Sequence, residues 1–327
     1  MSRSEFAEGK ILIPGGDGMI GRATDSGLTQ RGFKVEITST EMGRASIRDG
    51  IHYVDFRHPE TADEVIAKGG FDVIICLAGI SDPRIAKENP ILADQVNHLG
   101  VIQMLESVKK LPREKRPIVI LPCSVLQFDI KESGLISVHH PLKENGDTYV
   151  LSKNNMFYDA LKYLPDIDIR FSFIGNTTGE GQRLGFIGPD IMDQFVRGEE
   201  KIVHGDLKQN RPFLHSKDAA SIFFYAMTSK RVDIGDRFLV TSGYSPSLED
   251  FFLSMARVVG RPDKPGEPDP RFGGLAKIKD IRFDIELLEE LGFRQLNGLD
   301  QISYTLMMDR LRVLNGGKLP ERGIYGY

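Results

Sequence analysis

Lys10-Ile11-Leu12-Ile13-Pro14-Gly15-Gly16-Asp17-Gly18-Met19-Ile20-Gly21 begins as a short apolar run and empties into a glycine-rich turn. The apolar residues at 11–13 suit a strand, and a helical pattern runs from Ile20 to Arg31. Glycines at 15, 18 and 21 allow a tight turn, a close approach of backbone to a pyrophosphate, and close packing of helix on strand. Free N–H groups at the start of the helix would face the phosphates with the favourable end of its dipole. An ordinary strand-to-helix turn fits the same spacing, because 34 of the 327 residues are glycine. The rest of the chain decides between the two.

Strand-like and helix-like segments alternate after this turn. Phe33 to Thr38 and His52 to Asp55 read as strands, Ala62 to Lys68 as a helix, and Phe71 to Ala78 as a strand buried on both faces. Asn89-Pro90 supplies an N-cap and a first-turn proline for a long helix ending near Lys109. Pro117 to Cys123 is another buried strand, Tyr149 to Leu164 a helix, and Ile167 to Ile174 a sixth strand. This alternation predicts an α/β fold with a doubly wound parallel sheet over 1–175. From Gly175 the pattern loosens into loop chemistry. Ser216 to Met227 reads as a helix, Phe238 to Thr241 as a strand, and Ser247 with Asp250 as the capping box of a further helix. Asp263 to Phe272, rich in proline and glycine, reads as a surface crossing. Residues 211–235 are expected to pack back on the first domain, with 176–210 and 236–327 forming a smaller C-terminal lobe.

The formal charge of −4 gives no basic field for nucleic acid or an anionic membrane. The longest mostly apolar run, Phe71 to Ile80, is too short to span a bilayer. The first residues, Met1 to Phe6, carry no apolar core of the signal-peptide kind. Two cysteines suit a reducing compartment, so a cytoplasmic protein is expected.

Three features carry chemistry. Tyr149 and Lys153 share one helix face, where a nearby ammonium would lower the phenol's pKa toward proton transfer. An amphipathic helix with a packed aromatic and a solvated lysine would look the same. Ser124 ends the strand that runs through Ile118 to Cys123, where a hydroxyl at a carboxyl end of a parallel sheet can hold a reacting oxygen. It can equally be a turn serine. The three occur in one order and in one structural context.

In these motifs the chain resembles the extended short-chain dehydrogenase/reductase family, in its epimerase/dehydratase branch, over nearly its whole length. The resemblance implies a Rossmann domain binding NAD or NADP and a substrate-binding lobe. It implies that Gly15, Gly18, Met19, Ile20 and Gly21 cradle the dinucleotide. Asp55, Phe56, Leu77, Ala78, Gly79 and Asn97 match further cofactor positions. Ser124, Tyr149 and Lys153 match the catalytic serine, tyrosine and lysine, the last two also holding cofactor. Ser81, Ser124 and Arg211 are the implied substrate contacts, the arginine toward a nucleotide-sugar pyrophosphate. A surface salt bridge is the other reading of Arg211. No metal is implied, and a homodimer is expected by resemblance alone.

The chain departs from the family at several places. Ser39 stands where many relatives carry the ribose-binding aspartate, and with Thr40 and Arg44 it would accept a 2′-phosphate; Glu41 could still reach a ribose, so the reading tilts only modestly to NADP over NAD. Asp17 is expected to point away and bond the turn backbone. Val125-Leu126 lacks the acidic pair of the 4,6-dehydratases. Phe173 stands where an asparagine often binds nucleotide, and Pro212 where an aspartate is usual. His139 and His140 lie in the loop before the catalytic helix, His215 reads as structural, and Cys76 and Cys123 as buried thiols. The first functional reading is a 4-keto reductase or epimerase on a nucleotide-linked sugar. The second is an NADPH-dependent ketoreductase on another small molecule, and the third a non-catalytic NADP sensor.

Overall fold

The structure is a computed structural model that describes residues 9–41, 50–58, 60–263, 266–269 and 278–317. Seven strands build one sheet: β1 (Lys10–Ile13), β2 (Lys34–Ser39), β3 (Ile51–Tyr53), β4 (Val73–Ile75), β5 (Ile118–Ser124), β6 (Ile169–Ile174) and β7 (Arg237–Val240). Their order is β7-β6-β5-β4-β1-β2-β3, and every neighbouring pair is parallel. The order reverses between β1 and β4, so a crevice opens at the carboxyl ends of those strands. The doubly wound sheet expected from the alternation is the one observed.

Alternate residues of each strand feed opposite faces, as the period of two requires. Leu12, Ile74, Val119, Leu121, Phe171, Phe173 and Leu239 enter one core, against the helix Gly100–Lys109 and the helix Thr148–Ala160. Ile11, Ile13, Val73, Ile75, Ile120, Phe238 and Val240 enter the other, under the helix Ser216–Thr228. Both faces are apolar, which is why these strands read as continuous hydrophobic runs. A third core joins the helices Ile187–Arg197, Leu248–Val258 and Leu299–Leu314.

Several boundaries differ from the sequence expectation for physical reasons. β4 ends at Ile75 because Pro14 has no N–H to continue the ladder with β1, although Leu77 N–H still donates to the Pro14 carbonyl at 2.8 Å. The long helix after Asn89 is broken into Pro90–Asp94, a π-helical turn Gln95–Leu99, and Gly100–Lys109. Proline holds the first helical position as expected, but Asn89 makes no side-chain cap bond. The Ser247–Asp250 capping box is present in both directions. The boundary drawn at 236 is corrected. β7 is the outer strand of the main sheet, and Leu288 and Phe293 fill the core on one of its faces. Among the described residues no helix is long and apolar enough to cross a membrane.

Candidate active site

A cleft of about 650 Å³ runs along the carboxyl ends of the strands. Its floor is the glycine turn. Gly15 holds φ of +76°, and a Cβ there would lie 2.5 Å from Ala78 N. A Cβ on Gly21 would lie 2.3 Å from the Gly15 carbonyl oxygen, so only glycine lets the helix Met19–Thr29 start this close to the turn. Gly18 is the N-cap residue and no acidic side chain occupies the first turn, which leaves the N-terminal amides facing the cleft without an internal anion. Gly15, Gly18, Met19, Ile20 and Gly21 line this end, with Leu77, Ala78 and Gly79 after β4. The cradle fits a dinucleotide pyrophosphate.

At the other end of the cleft stand Ser124, Tyr149 and Lys153, brought together as the sequence predicts. Ser124 ends β5, and its hydroxyl accepts from Leu126 N–H at 3.2 Å. Asp147 caps the helix Thr148–Ala160 through Val150 N–H, which sets the register that puts Tyr149 in its first turn. Lys153, one turn on, donates from Nζ to the Pro122 carbonyl at 2.9 Å. Both are buried: Tyr149 is 6 % exposed and Lys153 4 %. Burial pushes the Tyr149 phenol up to about 12, while the neighbouring Ser124 hydroxyl pulls the other way. This direction is opposite to the fall expected from the tyrosine–lysine spacing, because the cost of burying a phenolate outweighs the hydroxyl's help. Burial likewise lowers the Lys153 pKa.

Two buried amides fix Ser124. Gln127 Oε1 accepts from Ser124 N–H at 2.7 Å, and Gln127 Nε2 donates to Asn154 Oδ1 at 2.9 Å. Asn154, on the same helix as Tyr149, donates in turn to the Lys143 carbonyl at 2.7 Å. Serine and tyrosine therefore hang on one polar chain. The sequence carried a signal for it, since Ser124-Val125-Leu126-Gln127 has the spacing of a capping box.

The remaining predicted residues are distributed unevenly. Ser81 and Arg211 line the cleft. Arg211's guanidinium donates to the carbonyls of Ile278 at 2.7 Å and Asn210 at 2.6 Å, and to Gln209 Oε1 at 2.9 Å. Asn97 is fully buried away from the cleft wall. Its amide accepts from Ile80 N–H at 2.8 Å and donates to the Ile80 carbonyl and to Ser152 Oγ, both at 3.1 Å. It clamps the segment after β4 to the catalytic helix. Asp55 is buried against Arg57, which holds its carboxyl below the usual range. Phe56 sits in the core beside Gly100. Thr40 is exposed just past β2, and Arg44 lies outside the described residues.

Three findings correct or extend the sequence reading. Phe173 is fully buried, stacked on Phe128 with centroids 4.8 Å apart, so it faces the core and not a substrate. The asparagine that lines the cleft is Asn176, just beyond β6. Asp17 does not cap its own turn: its carboxylate accepts from the Ser39 hydroxyl at 2.6 Å. Thr38, which the sequence did not single out, accepts from Gly15 N–H at 3.2 Å. Elsewhere, His140 bonds the Asp129 carbonyl at 3.1 Å, and Cys76 and Cys123 are buried free thiols. Among the described residues no cluster of His, Cys, Asp or Glu could hold a metal ion.

Comparison with known proteins gives a consistent result. The profile of the NAD dependent epimerase/dehydratase family matches residues 11–240. A GDP-6-deoxy-D-talose 4-dehydrogenase of Aggregatibacter actinomycetemcomitans is 26 % identical over 250 residues, covering 76 % of this chain and 80 % of that protein. The UDP-glucose 4-epimerase of Thermotoga maritima, solved with UDP-glucose, superposes with a TM-score of 0.79 at 16 % identity, over 93 % of this chain and 99 % of its own. The protein RMD from Pseudomonas aeruginosa, complexed with NADPH, gives 0.76 at 17 % identity over 92 % and 99 %. These structures share the fold.

Proposed function

The chain belongs to the NAD dependent epimerase/dehydratase family, and from that premise we propose that it oxidises and reduces the 4-carbon of a nucleotide-linked sugar. It is an enzyme, and its cofactor is NAD or NADP. The observation that carries the reading is the convergence of Ser124, Tyr149 and Lys153 at one end of a cleft whose other end is a glycine cradle. The cradle from Gly15 to Gly21 would hold the pyrophosphate and Lys153 the nicotinamide ribose. When bound, the nicotinamide accepts or supplies the hydride.

The chain's own groups handle the oxygen and its proton. Ser124 Oγ holds the reacting oxygen, and Tyr149 Oη gives it a proton on reduction or takes one on oxidation. A phenol pushed up to about 12 is a proton donor throughout the neutral range. To act as base it relies on the Lys153 ammonium, one helical turn away, which favours the phenolate. Burial of both groups excludes water and would strengthen any charge interaction between them. The part of the cleft lined by Arg211 and Asn176 would hold the nucleotide and the sugar. The name of the relative that acts on a GDP-linked sugar supports this class.

A reductase for a ketone without a nucleotide is the second reading. It is favoured by Arg211, whose donors are already committed to backbone carbonyls and Gln209. Titration with UDP, GDP and their hexose conjugates separates the two. Binding of a nucleoside diphosphate, strengthened by the hexose, is the expected result. No binding of any nucleotide, with turnover of a simple ketone, moves the protein to the second reading. Two buried free thiols accord with a cytoplasmic site of action. Pairing of two copies is expected through the helical segments that expose Leu99 and Tyr158, each more than half accessible, and sedimentation at micromolar concentration tests it.

A further inference from the structure

We propose that Asp17 reads the 2′-position of the cofactor's adenosine ribose and selects NAD over NADP. The inference rests on the dinucleotide reading of the cleft and reverses the preference that Ser39, Thr40 and Arg44 suggest in the sequence. In a sheet of this order, the acid that bonds the ribose 2′-hydroxyl normally comes from the carboxyl end of β2. Here that place is Ser39, buried at 2 % exposure, and it offers no acid of its own. The carboxylate arrives from the glycine turn instead. Asp17 lines the cleft, and its Oδ2 accepts from Ser39 Oγ at 2.6 Å. One residue earlier, Thr38 Oγ1 accepts from Gly15 N–H, so the end of β2 is stitched to the turn at two consecutive positions.

That bond takes Ser39 out of a phosphate pocket. The Ser39 hydroxyl spends its proton on Asp17 and accepts from Glu41 N–H at 3.1 Å, so it has no donor left for a phosphate oxygen. A carboxylate accepts only, with room for about four hydrogen bonds, one of which Ser39 takes. It suits the two hydroxyls of a ribose and repels a 2′-phosphate. Arg22 does not cancel it: Nη1 donates to the Asp17 main-chain carbonyl at 2.5 Å and Nη2 to the Glu180 carbonyl at 3.3 Å. Among the described residues no cation pairs with the Asp17 carboxylate. A retained NAD suits epimerisation or dehydrogenation, whereas net reduction draws on NADPH.

The test is a calorimetric titration of the purified protein with NADH and with NADPH, for wild type, Asp17→Asn and Ser39→Ala. Wild type should bind NADH at least tenfold more tightly. Asp17→Asn should close that gap tenfold or more, chiefly by tightening NADPH, while Ser39→Ala, which keeps the carboxylate, should preserve a preference for NADH. Wild type needs no variant for a further check: raising salt to about 0.5 M should narrow the gap by screening the repulsion. A wild-type preference for NADPH, an unchanged ratio in Asp17→Asn, or Ser39→Ala opening NADPH as far as Asp17→Asn does would overturn the inference. Binding of neither nucleotide would instead overturn the dinucleotide reading beneath it.

Discussion

The two walls of the cleft are built on different principles. On the wall proposed for cofactor, position is set by backbone: a positive φ at Gly15, the close approach at Gly21, and the strand end at Ser124. On the wall proposed for substrate, Asn176 and Arg211 stand on loops beside two-residue strands; Asn176 is tied through its main-chain carbonyl to Leu214 N–H, and the Arg211 guanidinium reaches the Ile278 carbonyl, both across long sequence separations. Backbone constraints are written locally, in glycines and apolar periodicity. Long-range side-chain ties are not. The first wall can therefore be read from sequence, and the second only from the fold.

The largest expected effect breaks the cofactor wall's chemistry without its binding. Tyr149→Phe should lower kcat by about 10²–10⁴-fold, with the affinity for nicotinamide cofactor unchanged in a parallel titration. If both fall together, the residue is holding the site rather than moving a proton.

Next comes a pH effect on the substrate side. His215 Nδ1 accepts from Lys217 N–H at 3.0 Å and its Nε2 meets Thr305 Oγ1 at 3.1 Å, which ties the sheet side to the helix Leu299–Leu314. Burial, then the Lys217 charge, lowers its pKa to about 4 from 6.5. A depressed folded-state pKa gives stability that is present above 6.5 and is lost as pH falls toward 4. The loss is at most about 3 kcal/mol. Denaturant midpoints measured across that window should decline in wild type and flatten in His215→Gln. A wild type with a level profile would show that the imidazole is not buried neutral.

A smaller change probes the join between strand and catalytic helix. Gln127→Leu strands Ser124 N–H and Asn154 Oδ1, and should cost about 1–3 kcal/mol of stability. It should lower kcat more than it alters KM, since it displaces Ser124 from Tyr149. A loss of stability with kcat intact would reduce the network to packing. The smallest effect is at the rim: Arg211→Gln should raise the KM for a nucleotide sugar by about tenfold, roughly 1.4 kcal/mol, with cofactor affinity unchanged. An unaltered KM would assign the guanidinium wholly to the carbonyls it already holds.

The gaps in the sequence reading fall along the same division. The glycine turn, the buried strands and the Ser124, Tyr149 and Lys153 positions were legible because each depends on neighbours a few residues away. Asn97 was read as a cofactor contact, yet its amide is consumed by Ile80, seventeen residues before it, and by Ser152. Phe173 aligns with a nucleotide-binding asparagine of the family, but the strand's facing turns it into the core. Phe171 and Phe173 share one side of β6, both in the core, and the cleft begins only beyond Phe173, at Ile174. Asp17 and Ser39 are twenty-two residues apart, and only the parallel pairing of β1 with β2 sets them side by side. Gln127 had a local signal and was recoverable.

The most direct test of the account is product analysis by NMR after incubating wild type and Tyr149→Phe with UDP- and GDP-linked hexoses and NAD. The account predicts inversion or oxidation at the sugar's 4-carbon in wild type and none above background in Tyr149→Phe. Full turnover by Tyr149→Phe, or reaction at a carbon of a molecule that carries no nucleotide while every nucleotide sugar stays unchanged, would contradict it.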